Sequence, residues 1–379
     1  MPTLPDIFRF KQERMKALDA GRLMKDKFGR EINYMRISVT DRCNLNCIYC
    51  MPDKLCSPAE TMSLDEIIKI AKAAAVCGVK RIRFTGGEPL VRNDTVEMIE
   101  EIKKIKGIEK TDLTTNGILL GQYIDKLAKI GLDSVSISLD TLDREKYERI
   151  TGKDSLYTVT EAVKMAQALG NIDVKINSVI LRGINDDQVC RLASLADEES
   201  TSIRFIELMP IGFGRDYSSI PQGDILKMLE AQYGEAVPCK ESRTDLRYDS
   251  EDNTEKRNRK TDKGAKGKVR EKISGEISGP SVYYKFSGLA GKIGFISPLS
   301  HKFCSSCNRI RITSEGMLRL CLHSERGVDL KQALKRGAEE KELAAIMKKA
   351  VSDKPLSHEF DEAARRLLSE EKTMVQIGG

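Results

Sequence analysis

Between Tyr34 and about Met209 the hydrophobic pattern changes period again and again. Short β-type runs at Met35–Thr40, Arg81–Thr85, Thr111–Thr115, Ser134–Leu139, Val174–Ile180 and Ile203–Leu208 alternate with segments of helical spacing. The helical segments are Leu64–Val76, Thr95–Ile105, Ile124–Ile130, Val159–Leu169 and Gln188–Ala196. Such alternation predicts βαβ units, a parallel sheet and right-handed crossovers. About six units are present, fewer than the eight of a closed barrel. The predicted fold is therefore α/β, an incomplete (βα)6 TIM-type barrel.

The strands have one unusual property. Parallel strands covered on both faces read as continuous hydrophobic runs. Here Arg36, Ser38 and Thr40 alternate with Met35, Ile37 and Val39. Arg81, Arg83 and Thr85 alternate with Ile82 and Phe84, Ser136, Ser138 and Asp140 with Val135, Ile137 and Leu139, and Lys175 and Asn177 with Val174 and Ile176. Residues two apart share a face of a strand. One face is apolar and goes to the helices, and the other is polar and lines an open, wet lumen. The lumen positions make Arg36, Arg83 and Lys175 candidates for an anionic ligand.

After Tyr233 the pattern breaks. The stretch Lys240–Lys272 is rich in charge, Gly, Ser and Thr and has no apolar period, as expected of a loosely held insertion. Short strands return at Val282–Phe286, Ile293–Ile296, Ile310–Ile312 and Leu318–Leu320, followed by helical segments at Leu330–Leu334, Leu343–Lys349 and Glu359–Leu368. The predicted division is an N-terminal extension at 1–33, the partial barrel at 34–235, a charged insertion at 236–280 and a C-terminal α+β region at 281–379 that ends in Gly378-Gly379.

Composition narrows the picture. The net charge is +6, but Lys256–Lys272 alone holds nine Lys and Arg against two acids, a net of +7, so the rest lies near −1. Trp is absent and aromatics make up 5%, which speaks against a stacking-based nucleic-acid binder. Ten cysteines in a long, charged chain with no secretory or transit signal and no membrane-spanning run imply metal ligands or core thiols in a reducing cytoplasm.

Three of these thiols, Cys43, Cys47 and Cys50, lie just after the first strand, at the end of the sheet where βα loops build sites. Thiolates suit zinc or iron–sulfur clusters. A [4Fe–4S] cluster with three protein thiolates keeps one iron open, whereas zinc would need a distant fourth ligand. Cys304 and Cys307, with Cys321 beyond them, form a second triad. His323 shares the face of Cys321 if Leu318–His323 is a strand, which would complete a Cys3His zinc site. Spacing leaves both metals open. Cys56, Cys77, Cys190 and Cys239 read as structural.

The C-x3-C-x-Tyr-C pattern at Cys43–Cys50 resembles that of the radical S-adenosylmethionine (SAM) superfamily, and Thr85-Gly86-Gly87-Glu88-Pro89 resembles its GGEP motif. Phe303-Cys304-x-x-Cys307-Asn308-Arg309-Ile310-Arg311, Asp41-Arg42, Met51-Pro52, Thr114-Thr115-Asn116-Gly117 and Gly378-Gly379 resemble the family of GTP 3′,8-cyclases. The resemblance implies two [4Fe–4S] clusters, each on one triad, with SAM on the first. Tyr49, Gly87, Ser138 and Met209 then lie at SAM, while Arg36, Arg83, Thr114, Lys175, Arg309 and Arg311 lie at GTP. It further implies cleavage of SAM to a 5′-deoxyadenosyl radical, hydrogen removal from ribose C3′ of GTP and closure on guanine C8, the first step of molybdenum cofactor synthesis. Gly378 and Gly379 would thread in beside the substrate. An electron donor such as flavodoxin or ferredoxin and a downstream cyclic pyranopterin monophosphate synthase are the implied partners of a monomer or homodimer, with no membrane and no nucleic acid. A radical SAM peptide maturase and a zinc-organised nucleic-acid binder are the competing readings.

Overall fold

The computed structural model describes residues 23–51, 60–197, 201–239, 280–323, 326–358 and 374. A small hairpin, β1 (Met24–Lys25) with β2 (Glu31–Ile32), precedes the main sheet. Its turn is held by Asp26, whose Oδ1 accepts from the amides of Phe28 and Arg30, each at 2.9 Å, as Asp does in a tight turn.

The βα units then follow in order. β3 (Tyr34–Ser38), β4 (Arg81–Thr85), β5 (Lys110–Thr115), β6 (Ser134–Ser138), β7 (Asp173–Val179) and β8 (Thr201–Ile206) pair in sequence, all parallel. They are connected through α1 (Leu64–Val76), α2 (Thr95–Lys103), α3 (Leu120–Lys129), then α4 (Arg144–Thr151) with α5 (Leu156–Ala168), and α6 (Val189–Ala193). α1 begins on a capping box: Ser63 Oγ accepts from Glu66 N at 3.2 Å, and Glu66 Oε2 accepts from Ser63 N at 2.8 Å.

The C-terminal region is built into the same sheet. α7 (Gln222–Tyr233) and β9 (Val237–Pro238) come first. β10 (Val282–Lys285) leads into β11 (Lys292–Ile296), which pairs parallel to β8. At the opposite edge β12 (Arg309–Ile312) pairs parallel to β3, and β13 (Met317–Arg319) and β14 (Gly327–Asp329) continue antiparallel. The sheet order is β14-β13-β12-β3-β4-β5-β6-β7-β8-β11-β10-β9. The expected six-stranded parallel run is thus lengthened to eight by two strands of the region beyond 280. α8 (Leu330–Lys335) and α9 (Glu340–Ser352) follow, and α9 packs on α1. The Cys77 thiol donates to Ala344 O at 3.4 Å across that contact.

The alternation read in the strands is realised. Met35, Ile37, Ile82, Phe84, Leu113, Val135, Ile137, Val174, Ile176, Ile203, Ile293 and Ile310 are fully buried in the layer between sheet and helices. The opposite parity faces the lumen. Adjacent registers place Arg311 beside Arg36, Arg36 beside Arg83 and Arg83 beside Asp112 across four strands.

α4 and α7 were not anticipated. α4 is mostly charged, and only Tyr147, Ile150 and Thr151 bury, so no apolar stripe announces it. Its signals are its ends: Asp143 caps the Lys146 amide at 3.0 Å, and Gly152 closes it at φ +73°. β13 stops at Arg319. Cys321 and His323 therefore lie beyond it, and the strand that was to put them on one face does not extend that far.

Candidate active site

A cavity of about 710 Å³ occupies the lumen, within the size range of small-molecule sites. The first triad sits in the loop after β3. Asn46 N donates to Thr151 O and Ile48 N to Ile150 O, both at 2.9 Å, which pins the loop to the end of α4. Within it, Cys50 N and Met51 N both donate to Cys47 O at 3.0 Å.

Two glycines let this loop approach β4. A Cβ on Gly86 would stand 2.5 Å from Thr40 O, and one on Gly87 would stand 2.2 Å from Arg42 O. With no side chain there, Gly87 N donates to Thr40 O and Glu88 N to Arg42 O, each at 2.8 Å. The Glu88 carboxylate is fully buried. It accepts from Leu90 N at 3.0 Å, Thr115 Oγ at 2.8 Å and Asn116 N at 2.6 Å. Burial pushes it up to about 7 against these three donors. Asn116 in turn donates to Cys43 Sγ at 3.8 Å and to Asn44 Oδ1 at 2.7 Å. The GGEP motif therefore holds the triad loop, the end of β4 and the end of β5 as one unit. Glu88 and Asn116 were missed as site residues, although both stand inside motifs already singled out.

Tyr49 donates to Asp140 Oδ2 at 2.7 Å, and Val179 N donates to Oδ1 at 2.8 Å. Burial raises Asp140 to about 6. It also raises the thiols of the first triad: Cys43 upward, Cys47 well upward and Cys50 to about 12. A bound metal would offset that penalty and favour the thiolate form.

The second triad is framed differently. Cys304 begins a 3₁₀ turn, Cys307 N closes it on Cys304 O at 3.1 Å, and Cys321 follows β13. Cations surround it. Burial acts to raise the Cys307 thiol, yet the charges of Arg309 and Lys354 bring it down to about 6. Arg309 stacks over the Phe303 ring at 5.0 Å. Among the described residues no three His, Cys, Asp or Glu side chains converge closely enough to hold a single metal ion.

Between the triads the lumen is cationic. Ten Lys and Arg line it against three Asp and Glu. Arg83 Nη1 donates to Ser136 Oγ at 2.6 Å and to Thr114 Oγ at 3.3 Å, and Arg83 Nη2 pairs with Asp112 at 3.1 Å. Arg204, also missed, donates to the same Ser136 Oγ at 2.8 Å. The Nε atoms of Arg83 and Arg204 and Oδ1 of Asn177 are buried with no hydrogen-bond partner among the described residues. Burial and the neighbouring Arg311 pull Arg36 well below its usual range. Burial, with Arg309 beside it, brings Arg311 down to about 10, and burial brings Lys175, paired with Asp173, to about 8. Buried like charges in register call for a polyanion.

All sixteen expected site residues that fall within the described residues line this cavity: the six triad cysteines, Tyr49, Gly87, Ser138, Met209, Arg36, Arg83, Thr114, Lys175, Arg309 and Arg311. Gly378 and Gly379 lie outside the described residues, as does Cys56. Met374, a few positions before the two glycines, lines the cavity. Cys77 is buried as expected of a structural thiol. Cys239, read the same way, is half-buried and borders the lumen.

A parallel partial barrel with a cysteine loop after its first barrel strand defines a radical SAM enzyme, and residues 37–196 match the Radical SAM superfamily. Residues 235–360 match Molybdenum Cofactor Synthesis C. The chain is 39% identical over 359 residues to GTP 3′,8-cyclase of Clostridium perfringens (strain 13 / Type A), covering 94% of this chain and 100% of that one. It is 41% identical over 362 residues to GTP 3′,8-cyclase of Moorella thermoacetica, with the same coverage. It is also 37% identical to Molybdenum cofactor biosynthesis protein 1 of Dictyostelium discoideum, over 97% of this chain and 55% of that protein. The chain belongs to the GTP 3′,8-cyclase family. Among solved structures, Streptococcus suis SuiB bound to precursor peptide SuiA shares the fold, with TM-score 0.55 and 15% identity over 94% of this chain and 71% of that one. Membership of the radical SAM superfamily implies a [4Fe–4S] cluster and SAM. No helix of the described residues is long and apolar enough to cross a membrane.

Proposed function

We propose that the chain cyclises GTP to 3′,8-cyclo-7,8-dihydro-GTP, opening molybdenum cofactor synthesis. Cys43, Cys47 and Cys50 hold one [4Fe–4S] cluster and Cys304, Cys307 and Cys321 a second, so that the 34–235 and 281–379 regions each contribute one triad. The observation that carries this reading is the in-register row Arg311–Arg36–Arg83 between the triads. A polyanionic substrate there would lie between both metal sites.

A [4Fe–4S] cluster held by Cys43, Cys47 and Cys50, with SAM on it, would supply a 5′-deoxyadenosyl radical for hydrogen removal from ribose C3′. The chain's own residues do the rest. Gly87, Ser138, Met209 and the Tyr49 segment shape the SAM end. Arg36, Arg83, Arg309, Arg311 and Lys175 fix the phosphates, and the Arg forks bind them bidentately. Thr114 meets the ribose or a phosphate oxygen. The apolar layer behind the sheet keeps the strands that carry these side chains rigid. Gly378 and Gly379 close on the substrate, a placement supported by Met374 at the cavity wall. A flavodoxin or ferredoxin supplies two electrons per turnover, one to cleave SAM and one that, with a proton, reduces the radical left after ring closure, and cyclic pyranopterin monophosphate synthase consumes the product.

The peptide-maturase reading shares the fold, but the relatives matched over nearly the full chain are cyclases. The test is anaerobic turnover with GTP, SAM and dithionite, followed by mass spectrometry. The expected products are 5′-deoxyadenosine and a cyclised nucleotide of unchanged GTP mass. SAM cleavage with GTP left intact would refute the proposal.

A further inference from the structure

Lys354 follows α9 and is 2% exposed. Its ammonium donates to Arg309 O at 2.9 Å and to Leu320 O. Arg309 lies two residues after Cys307, and Leu320 immediately precedes Cys321. One side chain therefore ties together the two stretches of chain that carry the second triad.

The neighbouring cation serves as a contrast. Arg30 donates to Cys304 O at 2.6 Å, to Pro355 O at 2.6 Å and to Leu356 O at 3.0 Å, strapping the third cysteine to the segment just after Lys354. Its charge is matched by Asp26, 2.5 Å away. Lys354 forms no ion pair with a carboxylate among the described residues. Burial pulls its ammonium below the usual lysine range and Arg30 and Arg309 also oppose its charge, while the thiols of Cys307 and Cys321 favour it. Two carbonyl oxygens satisfy two of its three donors but leave a buried positive charge with no carboxylate beside it among the described residues. Three thiolates on a [4Fe–4S] core leave a net negative charge, which is the missing counter-charge.

We propose that Lys354 is the counter-ion of the second triad, a positioning residue that joins the Cys307 and Cys321 arms and sets the charge felt by the metal centre they hold. The inference rests on the reading that this triad binds a cluster. Removing the cation makes adding an electron there harder, so the midpoint potential moves negative. Lys354→Gln keeps a donor for the carbonyls and loses the charge, whereas Lys354→Arg keeps the charge.

The experiment uses the full chain, reconstituted anaerobically, with Cys43, Cys47 and Cys50 replaced by Ala so that the second site is read alone. Iron content is measured, and the potential is titrated by electron paramagnetic resonance. This background should hold about four irons per chain; if it holds none, the second cluster itself is refuted, independently of Lys354. With the cluster present, Lys354→Gln should show a more negative potential or lose the cluster, and Lys354→Arg should retain both cluster and potential. An unchanged potential in Lys354→Gln, or Lys354→Arg behaving like Lys354→Gln in either respect, overturns the proposal.

Discussion

Gly87→Ala should disable the first metal site while leaving the second intact. The added Cβ would stand 2.2 Å from Arg42 O and 2.6 Å from its carbonyl carbon. A carbon–oxygen contact relaxes to about 3.3 Å, so the chain at Arg42 must retreat by about 1 Å. These atoms and the third one met, Asp41 O at 2.8 Å, are all backbone, so no side-chain rotation relieves the clash. Arg42 precedes Cys43, and the retreat also stretches the bonds from Gly87 N to Thr40 O and from Glu88 N to Arg42 O. Overpacking of this kind costs about 1–3 kcal/mol of stability, and a displacement of about 1 Å in a reacting group costs about 10²-fold in rate. The assay is the rate of 5′-deoxyadenosine formation at saturating SAM, with iron content and thermal melting alongside. Gly121→Ala, whose Cβ would meet only the flexible Met165 side chain, Sδ at 3.4 Å and Cε at 3.9 Å, is the control and should behave as wild type. Wild-type SAM cleavage and full iron content in Gly87→Ala would show that the close approach of the two loops does not set the triad.

Arg36→Ala or Arg311→Ala should weaken GTP binding by about 10- to 100-fold, from about 1.5–3 kcal/mol per charged hydrogen bond lost, and should narrow the preference for GTP over guanosine in equilibrium dialysis; unchanged discrimination would place the phosphates elsewhere. Glu88 is raised to about 7, above its unfolded value, so its contribution to stability is full below about pH 4.5 and is lost as pH rises through about 7. Glu88→Gln should remove that slope from the melting profile and lower stability by about 1.5–3 kcal/mol, because its amide turns a donor toward Asn116 N or Leu90 N; a melting profile parallel to wild type across this range would contradict it. Deleting Gly378 and Gly379 should leave iron content unchanged and remove product formation, and a truncated protein with full turnover would exclude the tail from the site.

The strands were readable in the sequence because each carries two signals at once. Ile82 and Phe84 bury in the helix-facing layer while Arg81 and Arg83 face the lumen, and that period-two contrast survives without any tertiary information. The strand Arg81–Thr85 and the helix Leu64–Val76 agree with the structure residue for residue. What could not be read was long-range pairing. Nothing local in Lys292–Ile296 or Arg309–Ile312 says that one joins β8 and the other β3, since register between distant segments is fixed by the neighbours they meet. Arg204 was passed over for a related reason: Ile203 and Phe205 marked its strand, but its closeness to Ser136 and Lys175 exists only once β6, β7 and β8 lie side by side. Glu88 and Lys354 show the same limit. A charged residue buried on its hydrogen bonds looks in sequence like any surface charge.

The measurement closest to the central claim is iron and acid-labile sulfide per chain after anaerobic purification, made on the wild type and on two triple variants, Cys43/Cys47/Cys50→Ala and Cys304/Cys307/Cys321→Ala. Two clusters of four irons give about eight irons in the wild type and about four in each variant. Stoichiometric zinc, or a triple variant that keeps the full wild-type iron, would contradict the assignment of one cluster to each triad.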